Sequence, residues 1–185
     1  MMKGIQIATK IGAKIMEIGH WIVVGMMGAI ALASLAAPQL LQYLMDVEAL
    51  QADGLAEAYG FEVYVGDGAG GIRYPVLCLF AIGATALFVL MALVFRHLSQ
   101  IVGRSESGTP FSEKNIASLR RMGRCSILVP LVGLLMSIVI RVVIGPEACE
   151  VSMDMSNLFM GFVILCLTEY FTHGAKLEQE VDGLV

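Results

Sequence analysis

The sequence predicts an all-α integral membrane protein: a four-helix transmembrane bundle with a small acidic extracytoplasmic segment and a short amphipathic cytoplasmic helix. Three observations predict it. The 185 residues are 57% hydrophobic and only 15% charged, with a mean hydropathy of +0.78, whereas a soluble domain is about half apolar and a quarter charged. Four long runs are nearly free of charge. The basic residues gather in alternate connections between those runs, and the acids gather in the others. The net charge of −4 sets aside a wholly basic nucleic-acid binder, and no direct contact with nucleic acid is expected.

About 20 apolar residues, rising 1.5 Å each, cross a hydrocarbon core of about 30 Å. Span one, about residues 18–37, carries no charge after His20, and span two, about 75–95, carries none at all. Span three, about 125–145, has one interior charge, Arg141; span four, about 156–173, is weaker and contains Glu169. The chain is thus read as a single membrane domain, 1–185. A basic start before an apolar run also describes a signal peptide, but the first run is longer than the roughly 7–15 residues of a cleaved signal. It reads as an uncleaved signal-anchor.

Lys and Arg in short connections set orientation. Lys3, Lys10 and Lys14 precede span one; Arg96, Arg104, Lys114, Arg120, Arg121 and Arg124 lie between spans two and three; Lys176 follows span four. These share one side, while Arg73 stands alone on the other among Asp46, Glu48, Asp53, Glu57, Glu62 and Asp67, and later Glu147, Glu150 and Asp154. The expectation is a multi-pass protein of the cell membrane with both termini cytoplasmic and the lipid bilayer as its constant partner.

The outer segment, 39–74, offers helix-forming residues from Met45 to Tyr59, a strand-like alternation at Phe61, Val63 and Val65, and a glycine-rich turn from Gly66 to Gly71. Its acids lack EF-hand spacing, so a solvated acidic cap is expected rather than a calcium loop. In the inner loop, 96–124, the stretch Gly103 to Gly108 reads as flexible. Thr109-Pro110 then resembles a helix start with Thr109 as N-cap, Ser112 being the rival. Ile116, Leu119 and Met122 recur every third residue with Arg120, Arg121 and Arg124 between them. This is an amphipathic helix leading into span three, whose arginines either enforce topology or meet anionic headgroups; the former is the simpler reading. Gly25, Ala29, Ala33 and Ala37 form a small-residue stripe on span one, with Ala81 and Thr85 at the same interval on span two. The stripe is expected to pack within the bundle, a homo-oligomer contact being the alternative.

Chemical motifs are scarce. No GxSxG, HExxH, Walker or Rossmann pattern occurs, so no enzyme activity is expected. Cys78, Cys125, Cys149 and Cys166 show no CxxC pair; neither a disulfide framework, a zinc cluster nor any cofactor is expected. Arg141, able to snorkel outward, and Glu169 lie at opposite depths, which argues against a buried pair. His20, His97 and His173 all map to the inner membrane boundary, with Glu17 and Glu169 within a turn of that level. Three imidazoles and a carboxylate at one depth would suit a divalent transition metal or a pH sensor. That requires spans one, two and four to converge there. Interfacial histidines are otherwise common, and no metal is expected.

Two inner segments carry a family resemblance. Gly108-Thr109-Pro110-Phe111-Ser112-Glu113-Lys114-Asn115, followed by Leu119-Arg120-Arg121-Met122-Gly123, resembles the central loop of the bacterial family catalogued as domain of unknown function 2975. The ending from Phe171 through Gly174, Leu177, Glu178, Glu180 and Asp182 to Val185 resembles that family's tail (174–185 here), and the four-span layout agrees. The resemblance implies a small multi-pass protein of the bacterial inner membrane without assigned activity, often encoded beside a small helix-turn-helix regulator. It further implies Pro110, Phe111, Ser112, Asn115, Leu119, Arg120 and Arg121 in the loop, and Gly174, Leu177, Glu180, Asp182 and Val185 in the tail, as docking residues. Because the loop is basic and the tail acidic, the alternative is that the two bind each other. The function expected is a regulatory or scaffold partner of a cytoplasmic protein; a transporter or channel subunit, or a sensor using the inner-boundary histidines, are the alternatives. The spans contain few of the polar groups that mark a permeation path.

Overall fold

Lipid offers no water to satisfy backbone N–H and C=O groups, so apolar runs that cross it close their hydrogen bonds within themselves. In the computed structural model, which describes residues 2–39, 41, 54–66, 71–105 and 109–182, they do so as four helices: α1 (Met2–Ala36), α2 (Tyr74–Ser105), α3 (Glu113–Val143) and α4 (Met155–Asp182). Each is long and apolar enough to cross a membrane. The protein is a multi-pass membrane protein with a four-helix transmembrane bundle. A hairpin of β1 (Leu55–Ala58) and β2 (Phe61–Tyr64) separates α1 from α2, and a 3-10 turn, Pro146–Ala148, separates α3 from α4.

The chain divides into two compact units. The first comprises residues 1–20, 90–128 and 156–185, the second 21–89 and 129–155. Charge divides with them. Lys10, Lys14, Arg96, Arg104, Lys114, Arg120, Arg121, Arg124 and Lys176 belong to the first, while Arg73 and Arg141 belong to the second.

In the first unit Leu119, Met122 and Ile164 form a core on which Val94, Leu98, Ile101 and Phe171 pack. The turn from α2 to α3 is clasped by polar groups. Arg104 donates to Ser118 Oγ at 2.9 Å and to the Lys114 carbonyl at 3.1 Å, and the amide of Asn115 donates to the Pro110 carbonyl at 3.2 Å. The carbonyl of Ser112 accepts the N–H of Ile116 at 3.1 Å. Ser112, not Thr109, therefore occupies the N-cap position, and Glu113 in the first turn suits the positive end of the helix dipole. The loop-to-helix passage runs straight into the third span, since Glu113–Val143 is one helix.

In the second unit the hairpin supplies much of the core. The alternation at Phe61, Val63 and Val65 buries all three completely. Phe61 stacks on Phe80 at 5.4 Å and sits so close to α2 that a Cβ at Gly83 would lie 2.8 Å from its ring. The turn residues Tyr59 and Gly60 have φ of 54° and 76°, the positive pair of a type I′ two-residue turn. The α3–α4 connection is stitched to this hairpin, with Cys149 Sγ donating to the Glu62 carbonyl at 3.0 Å and Ser152 Oγ to that of Gly60 at 2.8 Å. Arg73 donates to the carbonyls of Gly66 and Tyr64 at 3.0 and 2.8 Å and lies 3.8 Å from Glu147. The carboxylate of Glu150 is the main reason the Tyr64 phenol titrates above its ordinary value.

Two expectations are corrected here. Leu55–Ala58 is strand, not the end of a helix, because pairing with β2 outweighs the helix-forming character of Leu-Ala-Glu-Ala. The earlier part of that predicted helix, the acids Asp46, Glu48, Asp53 and Asp67, most of the glycine-rich turn and residues 106–108 lie outside the described residues; Gly103, predicted flexible, is helical. Within the single chain, the small-residue stripe is not the covered face of α1. Gly25 and Ala29 are exposed, a Cβ at Gly25 would meet open space, and only Ala33 and Ala37 are half-buried. The covered face is instead Ala13, Glu17, His20, Val24, Met27, Ala31 and Ser34, with the alternating four-and-three spacing of a heptad seam.

Candidate functional site

The loop before α3 and the last turns of α4 meet within the first unit. Thr109, at the loop's start, uses one hydroxyl twice, accepting the N–H of Phe111 at 3.1 Å and donating to Glu178 Oε2 at 3.0 Å. This local bond turns the chain so that Phe111 points onto α4. Its ring lies 5.4 Å from that of Phe171, tilted by 58°, and directly over Gly174, where a Cβ would come within 2.8 Å of the ring. Glycine is thus the residue that lets the aromatic ring seat on the helix.

Around that contact Phe111, Gly174, Leu177, Glu178 and Val181 line a surface groove. Its apolar members are open, with Phe111 37%, Leu177 49% and Val181 61% exposed. Lys176, Glu178 and Glu180 are interleaved with them. So dense a set of charges places this part of α4 outside the hydrocarbon, where exposed apolar side chains meet water instead of lipid.

Of the docking residues implied by the resemblance, the structure brings together Phe111, Gly174 and Leu177. Pro110, Arg120, Arg121 and Glu180 are exposed and Ser112 is half-buried, but none of them lines the groove. Asn115 and Leu119 are both buried, the first closing the α2–α3 turn and the second in the core. Val185 and the side chain of Asp182 lie outside the described residues. Sequence reasoning missed Val181 and the pairing of Thr109 with Glu178, although Phe171, Gly174, Glu178 and Val181 follow the three-four-three spacing of one helix face.

The three histidines have different surroundings. His20 is buried, its Nδ1 donating to the Met16 carbonyl at 2.7 Å and its ring lying 5.1 Å from Phe95. Glu17 is held by Lys14 at 2.8 Å. His97 Nδ1 is buried without a partner, and His173 is exposed. Among the described residues no group of three metal-competent side chains assembles.

The model of the family described as protein of unknown function DUF2975 matches residues 65–185. The chain belongs to that family. The DUF2975 match includes α2, α3, α4 and every residue of the loop–tail groove, whereas α1 and the β1–β2 hairpin precede it. No curated protein and no solved structure matches the chain.

Proposed function

We propose that this DUF2975 protein is a non-catalytic, membrane-anchored docking partner that holds a cytoplasmic protein on the Phe111–Leu177–Val181 groove. One observation carries the reading: Leu177 and Val181 stay exposed on a helix end too charged to enter lipid, beside the half-open ring of Phe111 from the loop. The segregation of nearly all basic residues into the unit that contains the groove supports a cytoplasmic position for it, with both chain ends on that side. A small helix-turn-helix regulator, the partner that the family resemblance implies, fits the charge. Such proteins present a basic face to DNA, and Glu178 and Glu180 flank the groove with acid.

The test is purification of the protein from its native membranes with quantification of co-purifying soluble proteins. Leu177→Asp and Phe111→Ala should each lower recovery of one specific partner by roughly tenfold, the loss of a single well-packed anchor. Recovery of every soluble protein unchanged in both variants would overturn the reading.

A further inference from the structure

Beside the crossing of α3 and α4 lies a second groove, also within the first unit, that docking of a soluble protein does not explain. Its volume is about 390 Å³ and its walls are Arg120, Arg124, Phe162, Leu165, Cys166, Thr168 and Glu169. The helices cross tightly because both carry glycine there: a Cβ at Gly161 would lie 2.5 Å from Ile127 Cγ1, and one at Gly123 would lie 2.9 Å from Leu165 Cγ. Flanking this narrow contact, Arg120 and Arg124 stand one turn apart on α3, and Phe162, Leu165, Cys166 and Glu169 share a face of α4.

The groove is graded. On α4 the carboxylate of Glu169 lies toward the charged, water-facing end of the helix, and Phe162 and Leu165 lie toward its apolar middle. On α3 both arginines precede the apolar run. Both guanidiniums and the carboxylate are exposed, and none of the three is engaged by another group among the described residues. Charged groups at the headgroup level with apolar walls beneath them match the shape of a membrane lipid.

We propose that this groove binds the headgroup of phosphatidylethanolamine. Two guanidiniums one turn apart suit the oxygens of a phosphodiester, which accept from both. Glu169, on the same groove, offers a carboxylate that a primary ammonium can pair with and donate to. The zwitterion therefore pairs with the site group by group. Phosphatidylglycerol would satisfy the arginines and leave Glu169 without a cation, and the quaternary amine of phosphatidylcholine has no N–H to donate. The acyl chains would continue along Phe162 and Leu165 into the bilayer.

The experiment is native mass spectrometry of the delipidated full-length protein in detergent, titrated with dioleoyl phosphatidylethanolamine, phosphatidylcholine or phosphatidylglycerol. The wild-type protein should retain phosphatidylethanolamine roughly tenfold better than either of the others, a preference on the order of one charge-assisted contact. Glu169→Gln should abolish the preference over phosphatidylcholine, and Arg120→Ala combined with Arg124→Ala should lower retention of all three lipids. Equal retention of phosphatidylethanolamine and phosphatidylcholine by the wild type, stronger retention of phosphatidylglycerol, or an undiminished preference in Glu169→Gln would each overturn the proposal. Should the double arginine variant fail to fold, Glu169→Gln decides alone, since its exposed side chain has no partner whose loss would unfold the chain. The groove shares no residue with the protein-docking surface, so either proposal can fail without the other.

Discussion

A single aromatic ring, Phe61, joins the hairpin to two helices: it is fully buried, stacks on Phe80 and fits against Gly83 on α2, with Gly133 of α3 close by. Truncating such a side chain removes its transfer energy and leaves a cavity that rigid helices cannot close. Phe61→Ala should therefore cost about 3 kcal/mol. Hydrogen exchange of the amides from Leu55 to Tyr64 would read this as a loss of protection of roughly a hundredfold, while the amides of α4 keep theirs. The alternation Phe61, Val63, Val65 was legible in the sequence because a strand's period of two is hard to imitate. The fates of Asn115 and Leu119 were not. Both stand in a segment whose motif marks them as notable, and a motif does not say whether a residue matters to a partner or to the fold. Burial answers that, and burial depends in part on Ser105 and Ile164, which the local pattern does not contain.

Among the elements, the helices follow directly from composition, since only hydrogen bonds closed within the segment satisfy the backbone in lipid. Which face of a helix packs is a different matter, as α1 shows. Small residues at every fourth position suggested Gly25, Ala29, Ala33 and Ala37, yet the seam that is covered includes a carboxylate, an imidazole and a serine. In lipid, apolar side chains gain little by turning inward, so polar ones select the inner face. A paired substitution separates the two readings. Gly25→Leu should change stability by less than about 0.5 kcal/mol, whereas Ala13→Phe, at a buried seam position, should cost about 1–3 kcal/mol. Thermal unfolding in detergent would compare them; equal destabilisation would restore the stripe as a packing face. The strand β1 was illegible because Leu55-Ala-Glu-Ala58 has no strand character of its own and takes its form from its partner.

For the molecule as a whole, helix length matters more than helix number. The four helices contain 35, 32, 31 and 28 residues, or about 42 to 52 Å at 1.5 Å per residue, against about 30 Å of hydrocarbon. Each is therefore longer than an upright crossing needs by two or more turns, an excess taken up by tilt or by projection into water. The charge pattern assigns most of this excess to the unit that carries the basic residues, the loop–tail groove and the two arginines of the lipid site. If that unit faces the cytoplasm, a green fluorescent protein fused after Val185 should fluoresce and an alkaline phosphatase fused there should be inactive; the opposite pair of results would invert the topology. The number of spans and the asymmetry of charge were readable from the order of apolar and charged residues along the chain. The grooves were not, because each joins two segments that are far apart in the sequence.

The seam of α1 has a further consequence. Near its start it carries Glu17 and His20, each satisfied where it stands by Lys14, Met16 and Phe95. An apolar helix surrounded by apolar neighbours can slide past them with little change in energy, since one aliphatic surface resembles the next. Two polar groups on the contact face reduce that freedom: their Lys14 and Met16 partners travel with the helix, but a slip of one turn would part His20 from Phe95 and carry both groups toward hydrocarbon. They act as an index mark, giving the first helix one correct depth as the bundle assembles.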